Sequence, residues 1–307
     1  MSAGGTTTNG EAEGGEAFGC LTEGQVDLSD GRRLGFAEFG CPTGAPLFYF
    51  HGCPGSRLEA GLAAPLARRM NVRLIALDRP GCGLSGHQAM RVIADWPSDV
   101  EAVVDRLGLE RFAILGVSGG APYAAACALA GTKRLTRVGI ASGLGPLEAP
   151  GATSGMLAFI RFALSMPRWG PWLVGPACGA TSALIRRNAE RFLSRASINL
   201  APPDVTVLGR VDVRRALAAS FRECVRQGRA GLVRELQLYG HPWGLDFRRH
   251  ASEVLIFHGE QDRITPPAMA CWLAEMLPGA RTRFYPGEGH HSLPINRADE
   301  IFCALLA

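Results

Sequence analysis

The stretch Phe112-Ala113-Ile114-Leu115-Gly116-Val117-Ser118-Gly119-Gly120-Ala121-Pro122-Tyr123-Ala124-Ala125-Ala126 decides the fold. It reads as a buried strand, a glycine-rich corner and the start of a helix. Its centre, Gly116-Val117-Ser118-Gly119-Gly120, matches G-x-S-x-G. In one reading Ser118 sits on a strained strand-to-helix turn that lifts its Oγ above a sheet, and the glycines remove side chains that would collide there. A serine between glycines in a plain structural turn is the commoner occurrence, so the surrounding chain has to choose.

Upstream, Gln25 to Phe39 holds two short strand-like runs around Ser29-Asp30-Gly31, a tight-turn signal that predicts an antiparallel hairpin. Pro46 to Phe50 reads as a buried strand that empties into His51-Gly52-Cys53-Pro54-Gly55-Ser56, and Arg57 to Arg69 carries a helical pattern. Val72 to Leu77 is the next buried strand. A helix starts at Pro97-Ser98-Asp99 with Ser98 as its N-cap, and Val100, Val103, Val104 and Leu107 share one face.

Downstream, Arg137 to Ala141 is a further strand, so strands and helices alternate. That pattern predicts an α/β fold: a mostly parallel sheet flanked by helices. From about Gly145 to Phe247 the alternation stops. Helical patterns broken by Pro and Gly predict a helical cap, residues 145–247, inserted after the strand at Arg137 to Ala141. Alternation resumes with strands at Glu253 to His258 and Arg281 to Tyr285 and helices at Pro266 to Met276 and Ala298 to Leu306. The core domain is therefore expected over 19–144 and 248–307. Residues 1–18, rich in Gly, Thr, Glu and Ala, read as a flexible tail.

Composition narrows the function classes. The chain has 307 residues, 47% hydrophobic and 20% charged, which fits a globular enzyme and argues against disorder. Its net charge of +4, without a basic run or basic-aromatic stripe, argues against nucleic acid as a partner. Nine cysteines without C-x-x-C or Cys/His ligand spacing suggest reduced thiols in a cytoplasm and imply neither a disulfide framework nor a metal site. Leu157 to Ala177 is the most apolar long stretch, but Arg161, Pro167, Arg168, Pro171 and Pro176 interrupt it, so no membrane span is expected.

In an open parallel sheet, functional groups collect beyond the carboxyl ends of the strands. Five loops lie there: His51 to Ser56, Asp78 to Ser85, Gly116 to Gly120, His258 to Pro267 and Gly287 to Ser292. They bring Ser118, Asp262 and His290 to one rim. Rival readings stay open at this stage. Asp78 and Glu260 are alternative acids, His291 is an alternative base, and His51 reads as a structural histidine bonding backbone groups. Gly81-Cys82-Gly83-Leu84-Ser85-Gly86 formally matches a dinucleotide-binding G-x-G-x-x-G, but no clear helix follows it.

In this order and spacing the five loops resemble those of the α/β-hydrolase superfamily, over about Gln25 to Leu306. The carrying motifs are His51-Gly52-Cys53-Pro54-Gly55, Asp78-Arg79-Pro80-Gly81-Cys82-Gly83-Leu84-Ser85, Gly116-Val117-Ser118-Gly119-Gly120, His258-Gly259-Glu260-Gln261-Asp262-Arg263-Ile264-Thr265-Pro266 and Gly287-Glu288-Gly289-His290. The nearest likeness is to cap-bearing, esterase-like serine hydrolases. It implies Ser118 as nucleophile, His290 as general base, Asp262 as the orienting acid, and the backbone N–H groups of Cys53 and Gly119 as oxyanion donors, with no cofactor. The implied activity is cleavage of a carboxylic ester, or an amide, of a small and partly apolar molecule. Phe159, Trp169 and Trp172 are candidates for lining its pocket, or else pack as core of the cap.

The same triad also serves proline iminopeptidases, whose His-Gly-Gly-Pro-Gly loop resembles His51-Gly52-Cys53-Pro54-Gly55, although the elbow here lacks their Trp after the nucleophile. Perhydrolase, C–C hydrolase and acyltransferase chemistry are further alternatives. So is a binder of small molecules with little turnover.

Overall fold

A computed structural model describes residues 19–248 and 252–307, so the expected tail at 1–18 lies outside the described residues. The opening hairpin forms as the sequence predicts. Strands β1 (Cys20–Asp27) and β2 (Arg33–Gly40) pair antiparallel around a turn in which Gly31 has φ +84°. Six further strands follow: β3 (Ala45–Phe50), β4 (Val72–Leu77), β5 (Phe112–Val117), β6 (Leu135–Ala141), β7 (Val254–Gly259) and β8 (Arg281–Tyr285). The spatial order is β1-β2-β4-β3-β5-β6-β7-β8, parallel from β4 to β8.

Both faces of this sheet are covered, and the strand period of two divides the side chains between them. In β3, Phe48 and Phe50 enter one core with Trp96, Tyr123 and Met269, while Leu47 and Tyr49 enter the other with Ala60, Leu293 and Phe302. The covering helices on the chain's first half are α1 (Ala64–Arg69), α2 (Trp96–Arg106) and α3 (Ala121–Ala130). Helix α2 begins earlier than the sequence suggests. Ser98 lies within its first turn beside Pro97 and is not the N-cap; a 3-10 turn at Ile93–Asp95 leads in, with the Asp95 carboxylate accepting from the Val92 N–H at 2.9 Å. Val100, Val103 and Val104 are buried as expected.

Between β6 and β7 the described chain is helical throughout its regular elements: α4 (Ala158–Trp169), α5 (Pro171–Ala196), α6 (Pro202–Gly209), α7 (Val211–Cys224) and α8 (Ala230–Gly240). These helices pack an apolar cluster around Ile185, Leu193, Val207, Val213 and Phe221, which Cys82 of the loop after β4 joins. Helices α9 (Pro267–Met276), α10 (Ser292–Asn296) and α11 (Ala298–Leu306) complete the fold. Among the described residues no helix is long and apolar enough to cross a membrane.

Candidate active site

Strand β5 ends in extended geometry at Val117, and the next residue, Ser118, has φ +53°. A non-glycine side chain in this left-handed region is strained and persists only where its surroundings hold it. The surroundings here are very close. A Cβ on Gly120 would stand 2.2 Å from the Phe50 carbonyl oxygen, and one on Gly116 would stand 2.7 Å from Ala124 Cβ. Only glycine lets α3 start so near the strands, and the result is a Ser118 Oγ that projects from the sheet's carboxyl edge.

The loops after β7 and β8 supply its neighbours. His290 Nε2 lies 2.9 Å from Ser118 Oγ, and His290 Nδ1 lies 2.8 Å from Asp262 Oδ2. Facing a carboxylate, Nδ1 carries the ring proton, which leaves Nε2 as the acceptor for the serine hydroxyl. Burial alone would pull the His290 pKa down, but the Asp262 carboxylate outweighs it, with help from Asp204 and Glu59, and the net shift is upward. Burial likewise opposes ionisation of Asp262, yet the adjacent imidazole and hydrogen bonds hold its pKa below the ordinary carboxylate value. Asp262 Oδ1 accepts from the N–H groups of Ile264 and Thr265, both at 2.8 Å, and Thr265 Oγ1 lies 2.8 Å from Oδ2.

The loop holding His290 is fastened from the helices between β6 and β7. Asp204 on α6, fully buried, accepts from the backbone N–H groups of His290, His291 and Ser292 at 2.9, 2.7 and 2.9 Å. Gly289 is needed for this approach, since a Cβ there would stand 2.4 Å from Asp204 Oδ2.

A second buried cluster links α8 to the loops around the serine. Glu235 accepts from Arg79 Nε and from Tyr123 Oη, each at 2.8 Å, and also from Arg91 and Tyr239. Arg79 further donates to the carbonyls of His51 at 2.5 Å and Gly52 at 2.7 Å, and Tyr239 Oη, whose single hydrogen serves Glu235, lies 2.8 Å from the Gly119 carbonyl. Burial disfavours a charged Glu235, but the two guanidiniums overcome this and depress its pKa to about 2. Cys53 and Gly119, whose N–H groups the sequence offers as donors, are neighbours in space. A Cβ on Gly119 would approach Cys53 Cβ to 3.1 Å, and among the described residues the Cys53 N–H has no hydrogen-bond acceptor.

Two cavities meet at Ser118. One, of about 640 Å³, has His290, His291, Glu59, Arg210 and Asn296 in its walls. The other, of about 500 Å³, is lined mainly by apolar groups, among them Leu144, Leu164, Met166, Leu232 and Leu236, and includes Gly119. Phe159, Ile160, Phe192 and Ile264 border both. Of the three aromatic candidates, then, Phe159 lines the cavities. Trp169 and Trp172 line neither and are not core: they flank the corner at Gly170, 48% and 71% exposed, while Leu164 and Met166 take the inward face of α4.

The rival residues sort by environment. Asp78 is spent on tying its loop to Arg57, accepting from the Arg57 N–H at 2.7 Å, Arg57 Nη1 at 2.6 Å and the Leu84 N–H at 2.8 Å. Glu260 is exposed. His291 makes no hydrogen bond to Asp262, and burial beside His290 lowers its pKa to about 4. His51 bonds backbone only, Nδ1 to the Gly52 carbonyl at 2.8 Å and Nε2 to the Arg79 N–H at 3.4 Å. Gly81 to Gly86 leads into no helix before Ile93. Arg79 and Thr265 stand in the loops read from sequence but were given no role there, and Asp204, Glu235 and Tyr239 were not singled out; Thr265 left a local signal, an acid three residues before a hydroxyl.

Comparison with known proteins bears on the fold. A family model described as alpha/beta hydrolase fold matches residues 45–296. Among curated proteins, a probable proline iminopeptidase of Streptomyces coelicolor is 33% identical over 108 residues, which is 32% of this chain and 32% of that protein. The match thus spans about a third of that relative's length. Among solved structures, a bromoperoxidase from Bacillus anthracis superposes with a TM-score of 0.66 at 20% identity, covering 93% of this chain and 98% of that one. The esterase RhEst1 from Rhodococcus sp. ECU1013 gives 0.65 at 22% identity, covering 93% and 100%.

Proposed function

This chain belongs to the alpha/beta hydrolase fold family of enzymes, and from that premise we propose that it cleaves carboxylic esters through an acyl-enzyme on Ser118. The observation that carries the proposal is the unbroken line from Ser118 Oγ to His290 Nε2 and from His290 Nδ1 to Asp262 Oδ2, on a serine held at φ +53° between two cavities.

A serine hydroxyl is too weak an acid to attack a carbonyl unaided. His290 Nε2 takes its proton as the Oγ–C bond forms, and Asp262 stabilises the resulting imidazolium. The Cys53 and Gly119 N–H groups receive the oxyanion, a contribution of roughly 3 kcal/mol each. His290 returns the proton to the departing alkoxide, then deprotonates the water that releases the acid. Because His290 protonates the leaving group and borders only the larger cavity, the alcohol occupies that side. The acyl group then lies in the apolar cavity beside Gly119.

We further read residues 145–247 as a cap over a core formed by 19–144 and 248–307, with its helices closing both cavities. The nine free thiols fit a reducing compartment, which supports the cytoplasm as the place of reaction. A proline-iminopeptidase-like reaction would carry a secondary ammonium into the acyl cavity, whose lining contains no carboxylate among the described residues. Esters are therefore favoured. The test is a panel of p-nitrophenyl esters of increasing acyl length beside proline p-nitroanilide. Turnover of medium-chain esters well above the anilide is expected; preference for the anilide would overturn the ester assignment.

A further inference from the structure

We propose that Arg79, anchored by Glu235 from the inserted helices, is a positioning residue that aims and polarises the Cys53 N–H as an oxyanion donor; this rests on the acyl-transfer reading above. That N–H belongs to the Gly52–Cys53 peptide unit. Its carbonyl is that of Gly52, and the Gly52–Cys53 bond is trans, so the C=O and N–H point in opposite directions. Fixing the oxygen therefore aims the hydrogen.

The Gly52 oxygen is fixed twice. Arg79 Nη2 donates to it at 2.7 Å and His51 Nδ1 at 2.8 Å, which occupies both lone pairs. The His51 tautomer is set by the same contacts, because Nδ1 faces a carbonyl and Nε2 faces the Arg79 N–H. A cationic donor on the carbonyl draws electron density from the amide and strengthens its N–H as a donor, an effect enhanced in a buried setting. The second donor is treated alike, without charge: the Leu144 N–H donates to the Ser118 carbonyl at 3.0 Å and so orients the Gly119 N–H.

Arg79 would not hold this pose alone. Its Nε is bound at 2.8 Å by Glu235, which lies 156 residues away on α8, and both side chains are buried. Glu235 also takes Arg91, but Arg91 reaches only Glu235 and Tyr123 among these groups and touches neither donor loop. The two arginines thus share one carboxylate while differing in contact with Gly52. That difference separates positioning from mere support of the cluster.

The experiment compares Arg79→Lys with Arg91→Lys, both of which keep a cation on Glu235. A lysine cannot bridge the carboxylate and two carbonyls at once. In Arg79→Lys, kcat for a p-nitrophenyl ester is expected to fall roughly tenfold to a hundredfold with KM unchanged, below the loss for a deleted donor. Affinity for a trifluoromethyl ketone, whose adduct places an oxyanion in the same hole, should fall by the same factor. Arg91→Lys should stay within about threefold of wild type on both readouts, since it leaves the donor loops untouched.

Should Arg79→Lys fail to fold, His51→Leu removes the other donor to the same oxygen, and a smaller loss of kcat at constant KM is expected. Equal losses in both arginine variants, a loss confined to KM, or unchanged ketone affinity would overturn the proposal. Wild-type protein that neither turns over ester nor reacts with a fluorophosphonate would overturn the acyl-transfer reading and this inference with it. Normal wild-type turnover with an unaffected Arg79→Lys would overturn this inference alone.

Discussion

Replacing Asp204 should damage activity and stability together, although it lies 86 residues from His290 in sequence. Its carboxylate accepts three backbone N–H groups at the start of α10, at 2.7 to 2.9 Å, and is fully buried. Hydrogen bonds to a charged acceptor contribute about 1.5–3 kcal/mol each, so three give an upper bound of about 5–9 kcal/mol. The loop can relax and His291 is only part-buried, so Asp204→Ala should cost nearer 3–5 kcal/mol, the range for breaking a buried charged network. Asp204→Asn is the more informative variant. It keeps one oxygen on the N–H groups of His291 and Ser292 but turns an amide N–H toward the N–H of His290. Two opposed donors should cost about 1–3 kcal/mol and push His290 away from Ser118. Displacement of a catalytic group by about 1 Å can cost on the order of 100-fold, so a drop in kcat/KM of roughly tenfold to a hundredfold is expected. Urea unfolding gives the first quantity and ester hydrolysis the second. Wild-type unfolding midpoints and kcat/KM within twofold in both variants would refute the reasoning.

Two further outcomes follow from the site. The acid limb of kcat/KM reports the free enzyme's base, and since Asp262 holds His290 above its ordinary value despite burial, activity should be lost on acidification at a pH above about 6.5. His291, held near 4, is already neutral there, so His291→Gln should leave the limb in place, and a limb that moved with His291 would reassign the base. Leu236→Trp fills the apolar cavity from α8 and should shift the preferred p-nitrophenyl ester toward shorter acyl chains; an unchanged chain-length profile would place the acyl group in the other cavity.

What could be read in the sequence was whatever depends on local pattern. The buried strands β3, β4 and β5, the Asp30-Gly31 turn and the loops carrying Ser118, Asp262 and His290 all follow from short-range periodicity or turn chemistry. Even locally, Ser98 misled, because Pro97 fits inside a first turn as readily as it marks a start. Asp204 and Glu235 were invisible for a different reason. Each is a lone acid in an ordinary helical pattern, and its purpose appears only when chain 86 or 156 residues away is folded against it. Trp169 and Trp172 show the converse error: large apolar side chains suggest burial, yet a helix corner exposes them.

The most direct measurement of the central claim is intact-mass and peptide mapping after treatment with a fluorophosphonate. The account predicts a single adduct on Ser118, formed in step with loss of esterase activity, and neither labelling nor turnover in Ser118→Ala that is otherwise folded. An adduct on another residue, or ester turnover retained by Ser118→Ala, would contradict it.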